Sequence, residues 1–502
     1  MRGYAPVRME VDGTCASRVP GNDAWRRRMA HLGRCLPKLP RGKYFGKNRI
    51  FAHRLDLLLF VSGSIHLTAD GLPSETSSFL MSESDEEWDP KVSEGDNSEG
   101  SENGDPSDAP DLFKWLSKEV RELVPGRVPV LATPPTALEF SRDFVSTNRP
   151  CVIRGAFDHW PARSRWSLDY LSAVLGDTQI SVNVTPTGLG DALCVTTGWE
   201  VKYAGQANGK TPNEVKHVGD AEKLAVPREG FAVPREVFAV PEERRMRFRE
   251  FAEMLRNAWV FANAPVPRAA STPEIPYVSH QNDSFTNEFS EKLGVDLGGN
   301  DGLDGLGGLR FANDAFGHTP DAVNFWVGAE HATTSFHRDH YENVYCVLSG
   351  SKTFTLLPPC DAWRMKPRKA PRARFEYRAD ASTTADGTTA DGTTADGTTA
   401  DGTVTKASIA IDAPVTEISW PSATPESLAQ DGGPPPIVVT VRAGETLYLP
   451  AMWFHHVSQA RCPDTKEPAM AVNFWHDMTF DDRFAAAKFL EQAHARWGGS
   501  DS

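Results

Sequence analysis

The chain of 502 residues contains no CxxC pair, no HExxH, no GxSxG and no long apolar run. Each absence removes a class of protein. Its seven cysteines (15, 35, 151, 194, 346, 360 and 462) are odd in number and scattered, so they suggest neither a disulfide framework nor a structural zinc site. That usage fits a reducing compartment, and the expectation is a cytoplasmic or nuclear protein. The apolar stretch Leu57–Val61 is far shorter than the roughly 20 residues a membrane-crossing helix needs, and it lies too deep for a secretory signal. Without HExxH, GxSxG or a cysteine in a nucleophile's setting, a peptidase would have to improvise its chemistry. Basic excess is missing too. Lys and Arg number 53 against 67 Asp and Glu, a net charge of −14, which argues against direct nucleic-acid binding and suits a cationic partner better.

What is present divides the chain unevenly. Hydrophobic residues at 40% and charged residues at 24% are those of a soluble globular protein, long enough for one large domain or two ordinary ones. Residues 1–81 form a basic leader, with Arg26, Arg27, Arg28 and Arg34, that is expected to be poorly ordered. Its start has a vague transit-peptide composition, but no clear amphipathic helix or cleavage site follows. A disordered leader or a misassigned start codon is the adopted reading. Residues 82–111 are acidic, rich in Ser and Gly and almost without apolar side chains, so they are read as a disordered linker. From Ala225 to Arg245 a seven-residue unit (AVPREGF, AVPREVF, AVPEERR) recurs and is read as a duplicated loop, its prolines forbidding a coiled coil. Between Thr383 and Gly402 the pentapeptide TTADG repeats four times, each copy carrying a turn-forming Asp-Gly and nothing to bury. It reads as a mobile surface insertion at about 380–404.

Local patterns between these segments point to short strands flanked by helices. Phe113, Leu116, Val120 and Leu123 recur at helical spacing behind Asp111 as N-cap. Thr136 and Glu139 form a capping-box pair, Ser167–Leu175 reads as a helix ended by Gly176, and Asp482–Trp497 as another. Strand-like runs occur at 150–154, 180–184, 275–280, 322–327, 344–348, 353–357, 437–441, 446–449 and 470–475. The spacing predicts a mainly β fold, a sandwich or barrel with flanking helices, rather than a parallel βαβ sheet.

Two segments carry candidate chemistry. In NFWVGAEHATTSFHRDHYENVYCVLSGSKTFTLL, from Asn324, His337 and Asp339 are two apart, so on a strand both side chains face one side and can reach one metal ion. Taken alone this is weak, because a chain with 14 histidines is expected to contain about one HxD by composition. The second segment, GETLYLPAMWFHHV from Gly444, places His455 and His456 after an aromatic pair. Two histidines and one carboxylate make the facial set that leaves metal positions open for co-substrate and oxygen. Either histidine of the pair could serve, and both could simply pack. Lys352 heads the strand after Ser349-Gly350-Ser351; it is either a solvated charge or, if the site is real, a cation returning across the hairpin to an acidic co-substrate.

The order T-x-x-H-x-D, N, K, W-F-H-H-V and N-F-W resembles the signature of the JmjC-domain hydroxylases. Three further blocks share the likeness: NRPCVIRGAFDHWPARSRWSL from Asn148, FAVPEERRMRF from Phe238 and PDAVNFWVG from Pro320. The resemblance spans about 112–495 outside the repeats, and it implies a double-stranded β-helix, a cupin-like jelly roll, over 112–498. It implies iron(II), 2-oxoglutarate and O2 as metal and co-substrates. By the same resemblance His337, Asp339 and His455 are the metal ligands and catalytic centre, His455 being chosen because the family ligand directly follows the aromatic pair. Thr334 and Lys352 would hold the distal carboxylate of 2-oxoglutarate, with Asn343, Tyr277 and Asn473 lining the pocket and Trp475 forming a substrate wall. The implied activity is lysyl (3S) hydroxylation of a protein substrate that presents a lysine. Histone lysine or arginine demethylation, peptidase activity and a catalytically silent binding module are the alternatives. Oligomeric state is open, a homodimer included.

Overall fold

The computed structural model describes residues 112–124, 126–204, 233–263, 272–298, 307–379 and 405–497; the leader, the acidic segment, Asp111, the first copy of the seven-residue unit and the TTADG tract lie outside them. In chain order the first strands are β1 (Val130–Leu131), β2 (Cys151–Arg154), β3 (Gln179–Thr185), β4 (Ala192–Val195), β5 (Val201–Tyr203) and β6 (Glu236–Val240). Then come β7 (Glu242–Arg247), β8 (Ile275–Val278), β9 (Ala322–Gly328), β10 (Thr334–His337), β11 (Tyr341–Ser349) and β12 (Ser351–Leu357). The last are β13 (Arg368–Ala379), β14 (Thr405–Ile411), β15 (Glu417–Trp420), β16 (Ile437–Arg442), β17 (Glu445–Leu449), β18 (Phe454–Ala460) and β19 (Ala469–Asp477). The longer helices are α1 (Leu112–Leu123), α2 (Leu168–Leu175), α3 (Phe248–Asn263), α4 (Arg310–Phe316) and α5 (Asp482–Trp497).

Eight strands, β9–β12 and β16–β19, build the jelly roll by contributing four to each of two facing sheets. One half, β17-β11-β19-β9, is extended on both sides into the order β1-β2-β17-β11-β19-β9-β8-β3-β7; the other is β10-β18-β12-β16. Strict alternation sorts the side chains of the large sheet. Val344, Cys346, Phe325, Val472 and Phe474 pack outward against helices, where α2 supplies Leu168, Leu171 and Leu175 and α3 supplies Phe248, Phe251, Ala252 and Leu255. Tyr345, Val347, Leu447, Leu449, Ala471 and Trp326 point between the sheets and meet Phe354, Leu356, Ile437 and Val441 of the smaller one. With both faces covered, all seven residues of β9 are buried. Each such Phe or Val contributes roughly 1.5–3 kcal/mol of burial, which is why the central strands read as near-continuous apolar runs.

Most expected elements appear where the patterns put them. The Thr136–Glu139 box caps the turn Ala137–Phe140, Ser167 caps α2, and Gly350, at φ +63, makes the β11–β12 turn where a Cβ would lie 2.4 Å from the Ala460 carbonyl oxygen. The seven-residue repeat is a correction. Its second and third copies are no loop: β6 and β7 run through them, and Pro241 falls between the two strands, where its missing N–H breaks no ladder. β6 joins a third sheet of order β4-β6-β13-β14-β5, with β15 on the other end of β13. The TTADG tract falls in the β13–β14 connection, whose paired ends are Ala379 and Thr405. No helix among the described residues is long and apolar enough to cross a membrane.

Candidate metal and co-substrate site

β10 and β18 pair so that His337 and His455 are direct cross-strand partners, their rings 4.2 Å apart between centroids. Asp339, just beyond β10, brings Oδ2 to 4.0 Å from His337 Nε2 and 3.7 Å from His455 Nε2. One donor atom from each of the three residues lies within 4.8 Å of the others. The backbone fixes this arrangement. Met452 N–H donates to the Asp339 carbonyl at 2.9 Å, tying the HxD turn to the segment that leads into β18. His337 Nδ1 lies 2.8 Å from the Ser335 carbonyl and His455 Nδ1 3.0 Å from that of Trp453. A carbonyl can only accept, so both Nδ1 atoms donate, which leaves both Nε2 atoms turned toward Asp339. Burial, then the neighbouring His337, hold His455 well below the ordinary imidazole pKa, which keeps it in the form that binds a metal. Alternation turns His456 to the other face of β18, where it meets Phe336 with ring centroids 5.5 Å apart.

The same face of the small sheet carries the second half of the site. β12 pairs with β18 so that Lys352 lies opposite Gln459 and Leu356 opposite His455. Thr334 lies opposite Val457, two residues from each, and is half-buried on that face. Lys352 is 0% exposed, donates to the Tyr277 hydroxyl at 2.9 Å and to Gln459 Oε1, and forms no ion pair with a carboxylate among the described residues. Burial pulls its ammonium down to about 7. Tyr277, on β8 of the large sheet, leads through Trp326 at 6.0 Å to Asn473, which accepts from Trp326 Nε1 at 2.7 Å and donates to Asn343 Oδ1 at 3.0 Å. Asn343 and Tyr345 of β11 lie opposite Trp475 and Asn473 of β19. Trp475 therefore faces the interior, buried and stacked on Tyr341 at 4.9 Å with the planes 4° apart.

Two residues with parts in this pocket were not anticipated. Gln459 supplies the second oxygen to Lys352, and its amide donates to the Ala329 carbonyl at 2.6 Å. Gly328 makes room for both groups, since a Cβ there would sit 2.3 Å from the Tyr277 ring and 2.7 Å from Gln459 Nε2. Outside the barrel, Trp420 of β15 reaches toward the site: its Nε1 donates to Ser335 Oγ at 2.9 Å, two residues before His337.

Residues 137–482 match the family described as a cupin-like domain. The chain is 33% identical over 390 residues to a lysine-specific demethylase of Arabidopsis thaliana, covering 75% of this chain and 89% of that protein. It is 33% identical over 381 residues to a bifunctional peptidase and (3S)-lysyl hydroxylase of Homo sapiens, covering 74% and 91%. A JmjC domain-containing protein of Dictyostelium discoideum is 29% identical over 393 residues, covering 76% and 93%.

Proposed function

The chain belongs to the cupin-like JmjC family of 2-oxoglutarate oxygenases, and from that premise we propose that it hydroxylates a lysine side chain in a protein substrate, using iron(II), 2-oxoglutarate and O2. The observation that carries the oxygenase chemistry is the pairing, on one face of the small sheet, of a two-histidine, one-carboxylate cluster with a buried lysine that no carboxylate among the described residues neutralises. The donor set fits iron: two neutral imidazoles and one carboxylate leave coordination positions for a chelating oxo acid and for oxygen. When bound, iron and the oxo acid supply the oxidation of a C–H bond by O2, with succinate and CO2 as co-products.

This chain's own residues do the rest. Lys352 would pair with the far carboxylate of the co-substrate, a charge-assisted contact strengthened by the dry surroundings. Thr334 lies on the same face to add a hydroxyl, while Tyr277 and Gln459 hold the ammonium in place. Asn343 and Asn473 form the polar floor, and the Tyr341–Trp475 stack gives a flat wall against which an aliphatic side chain can lie. The interior excludes water through the apolar layer of Phe354, Leu356, Val441 and Tyr345.

Hydroxylation and demethylation share this machinery and differ in the carbon presented to the metal; hydroxylation on an N-methyl group collapses to formaldehyde. The human relative's name supports lysyl hydroxylation and peptidase activity, while the Arabidopsis relative's name favours demethylation as a second reading. Intact-mass analysis of lysine peptides, plain and methylated, after incubation with iron(II), 2-oxoglutarate and ascorbate separates the outcomes. The expected result is a gain of about 16 Da on an unmethylated lysine, abolished in Asp339→Ala. Loss of about 14 Da per methyl without oxygen gain would establish demethylation instead, and two fragments would establish cleavage. No change on any peptide would leave a binding module.

A further inference from the structure

The residue between two of the proposed ligands points away from the metal. His337 and Asp339 face the barrel interior, so Arg338 faces out. It is 13% exposed and ion-paired to Glu491 on α5, itself 23% exposed. Its guanidinium also lies 5.1 Å from the ring centroid of Phe454, the residue before His455. One side chain, set between two of the proposed ligands in the chain, thus meets the neighbour of the third and a helix outside the barrel. The same helix closes on both ligand-bearing segments elsewhere: Phe484 meets His340 at 5.9 Å between centroids, and Ala487 packs with Ala451 and Met452, just ahead of β18.

We propose that Arg338 and Glu491 are positioning residues which make docking of α5 and metal binding at His337, Asp339 and His455 one coupled equilibrium. The proposal rests on the metal-site reading above. The coupling has a steric and an electrostatic part. Holding Arg338 between Phe454 and Glu491 fixes the turn that sets His337 against Asp339, so that ligand geometry is settled before the ion arrives. Glu491 also pairs with Lys488 at 3.3 Å, so its carboxylate separates two cations beside a site that receives a dication. Neutralising Glu491 leaves Arg338 and Lys488 without their shared carboxylate, a repulsion relieved by moving the helix, while the uncompensated positive charge opposes the incoming dication. Because coupling free energies are reciprocal, a bound ion must in turn hold α5 more firmly.

Cobalt(II) titration of the full chain, followed by its absorbance bands, tests this without turnover. The expected result is an apparent Kd raised about tenfold in Glu491→Gln and in Arg338→Leu, the low end for outer-sphere partners of a metal site. Arg338→Lys, which keeps the charge within reach of Glu491, should stay within about threefold of wild type. Hydrogen exchange supplies the reciprocal readout: cobalt(II) should slow the amides of Asp482–Trp497 in the wild type and do so much less in Glu491→Gln. Glu491→Gln is near-isosteric at a partly exposed helix position and keeps the test readable should Arg338→Leu fail to fold. A merely structural tie would lower the melting temperature of the metal-free variants and leave the cobalt Kd unchanged, and that outcome overturns the proposal. So does helix exchange that ignores the metal. Failure of the wild type to take up cobalt at all sinks the triad itself, a distinct result.

Discussion

At the two histidines the backbone has chosen the tautomer, so loss of the third ligand should be felt as lost metal and not as lost fold. Asp339→Ala is expected to weaken metal binding by at least about a hundredfold while far-UV circular dichroism is kept. His455→Ala should match it, and His456→Ala, whose ring faces Phe336, should leave metal affinity close to wild type. The opposite ranking of the two histidines would mean that the wrong one has been assigned. Lys352 allows a sharper statement. Removing one partner of a buried pair costs about 3–5 kcal/mol, so Lys352→Ala should raise the 2-oxoglutarate requirement by two orders of magnitude or more; an unchanged Kd would remove the residue from the site. Burial lowers its ammonium from 10.5 to about 7, whereas a bound dicarboxylate favours the charged form. Binding above pH 7 therefore takes up a proton, and affinity should fall as pH rises from 7 toward 9. In the ligand-free protein the unfolded chain holds that proton up to 10.5 and the folded one does not, so this residue's contribution to stability rises between 7 and 10.5. Calorimetry across that range is the check, and a pH-independent Kd would contradict a half-titrated lysine. That His337, Asp339, His455, Lys352 and Thr334 come together on one face of the small sheet was legible because their neighbours in sequence carry the pattern. Gln459 and Gly328 were not, because nothing around them in sequence reveals that β18 will set a glutamine opposite Lys352 or that a tyrosine ring will need the space of a missing Cβ.

Elements differ in how much of their pairing is written locally. The jelly-roll strands announce themselves by apolar runs because both their faces are covered, and the capped turns by their hydroxyl and carboxylate pairs. The third sheet does not. β13 is basic and contains Pro371, yet it forms a strand because the proline sits at the changeover, where β15 ends as a partner and β6 begins. α3 was not among the expected helices, although Phe248, Phe251, Ala252 and Leu255 form an apolar stripe at helical spacing. The β13–β14 connection yields a prediction of its own. Deleting Thr383–Gly402 leaves five connecting residues, 380–382 and 403–404, between the paired ends Ala379 and Thr405, a length hairpins accept. Shortening the loop about fivefold reduces its closure cost by roughly 1.4 kcal/mol, so a slightly higher Tm and unchanged turnover are expected. Insolubility or lost turnover would mean that the tract packs on the enzyme.

For the molecule as a whole, charge is less of a guide than its total suggests. Twelve carboxylates and one lysine fall within 82–111, and 13 basic side chains against 6 carboxylates within 1–81, so the total of −14 is a sum of −11, +7 and −10 on residues 112–502. The −10 draws a basic substrate toward the chain, but selection of a lysine has to happen by contact at the site. Raising the salt from about 0.05 to 0.5 M should lower kcat/KM for a lysine peptide about threefold or more; an unchanged value would show that no field steers the substrate. The partnership of His337 with His455 also sets a timetable for biosynthesis. They are neighbours across a ladder but 118 positions apart in the chain, and at roughly 5–20 residues per second the second is made about 6–24 s after the first. Until β18 has left the ribosome the nascent chain offers a metal only the HxD pair. The full set of three donors exists only in a nearly finished protein, so a product terminated before His455 lacks it from birth.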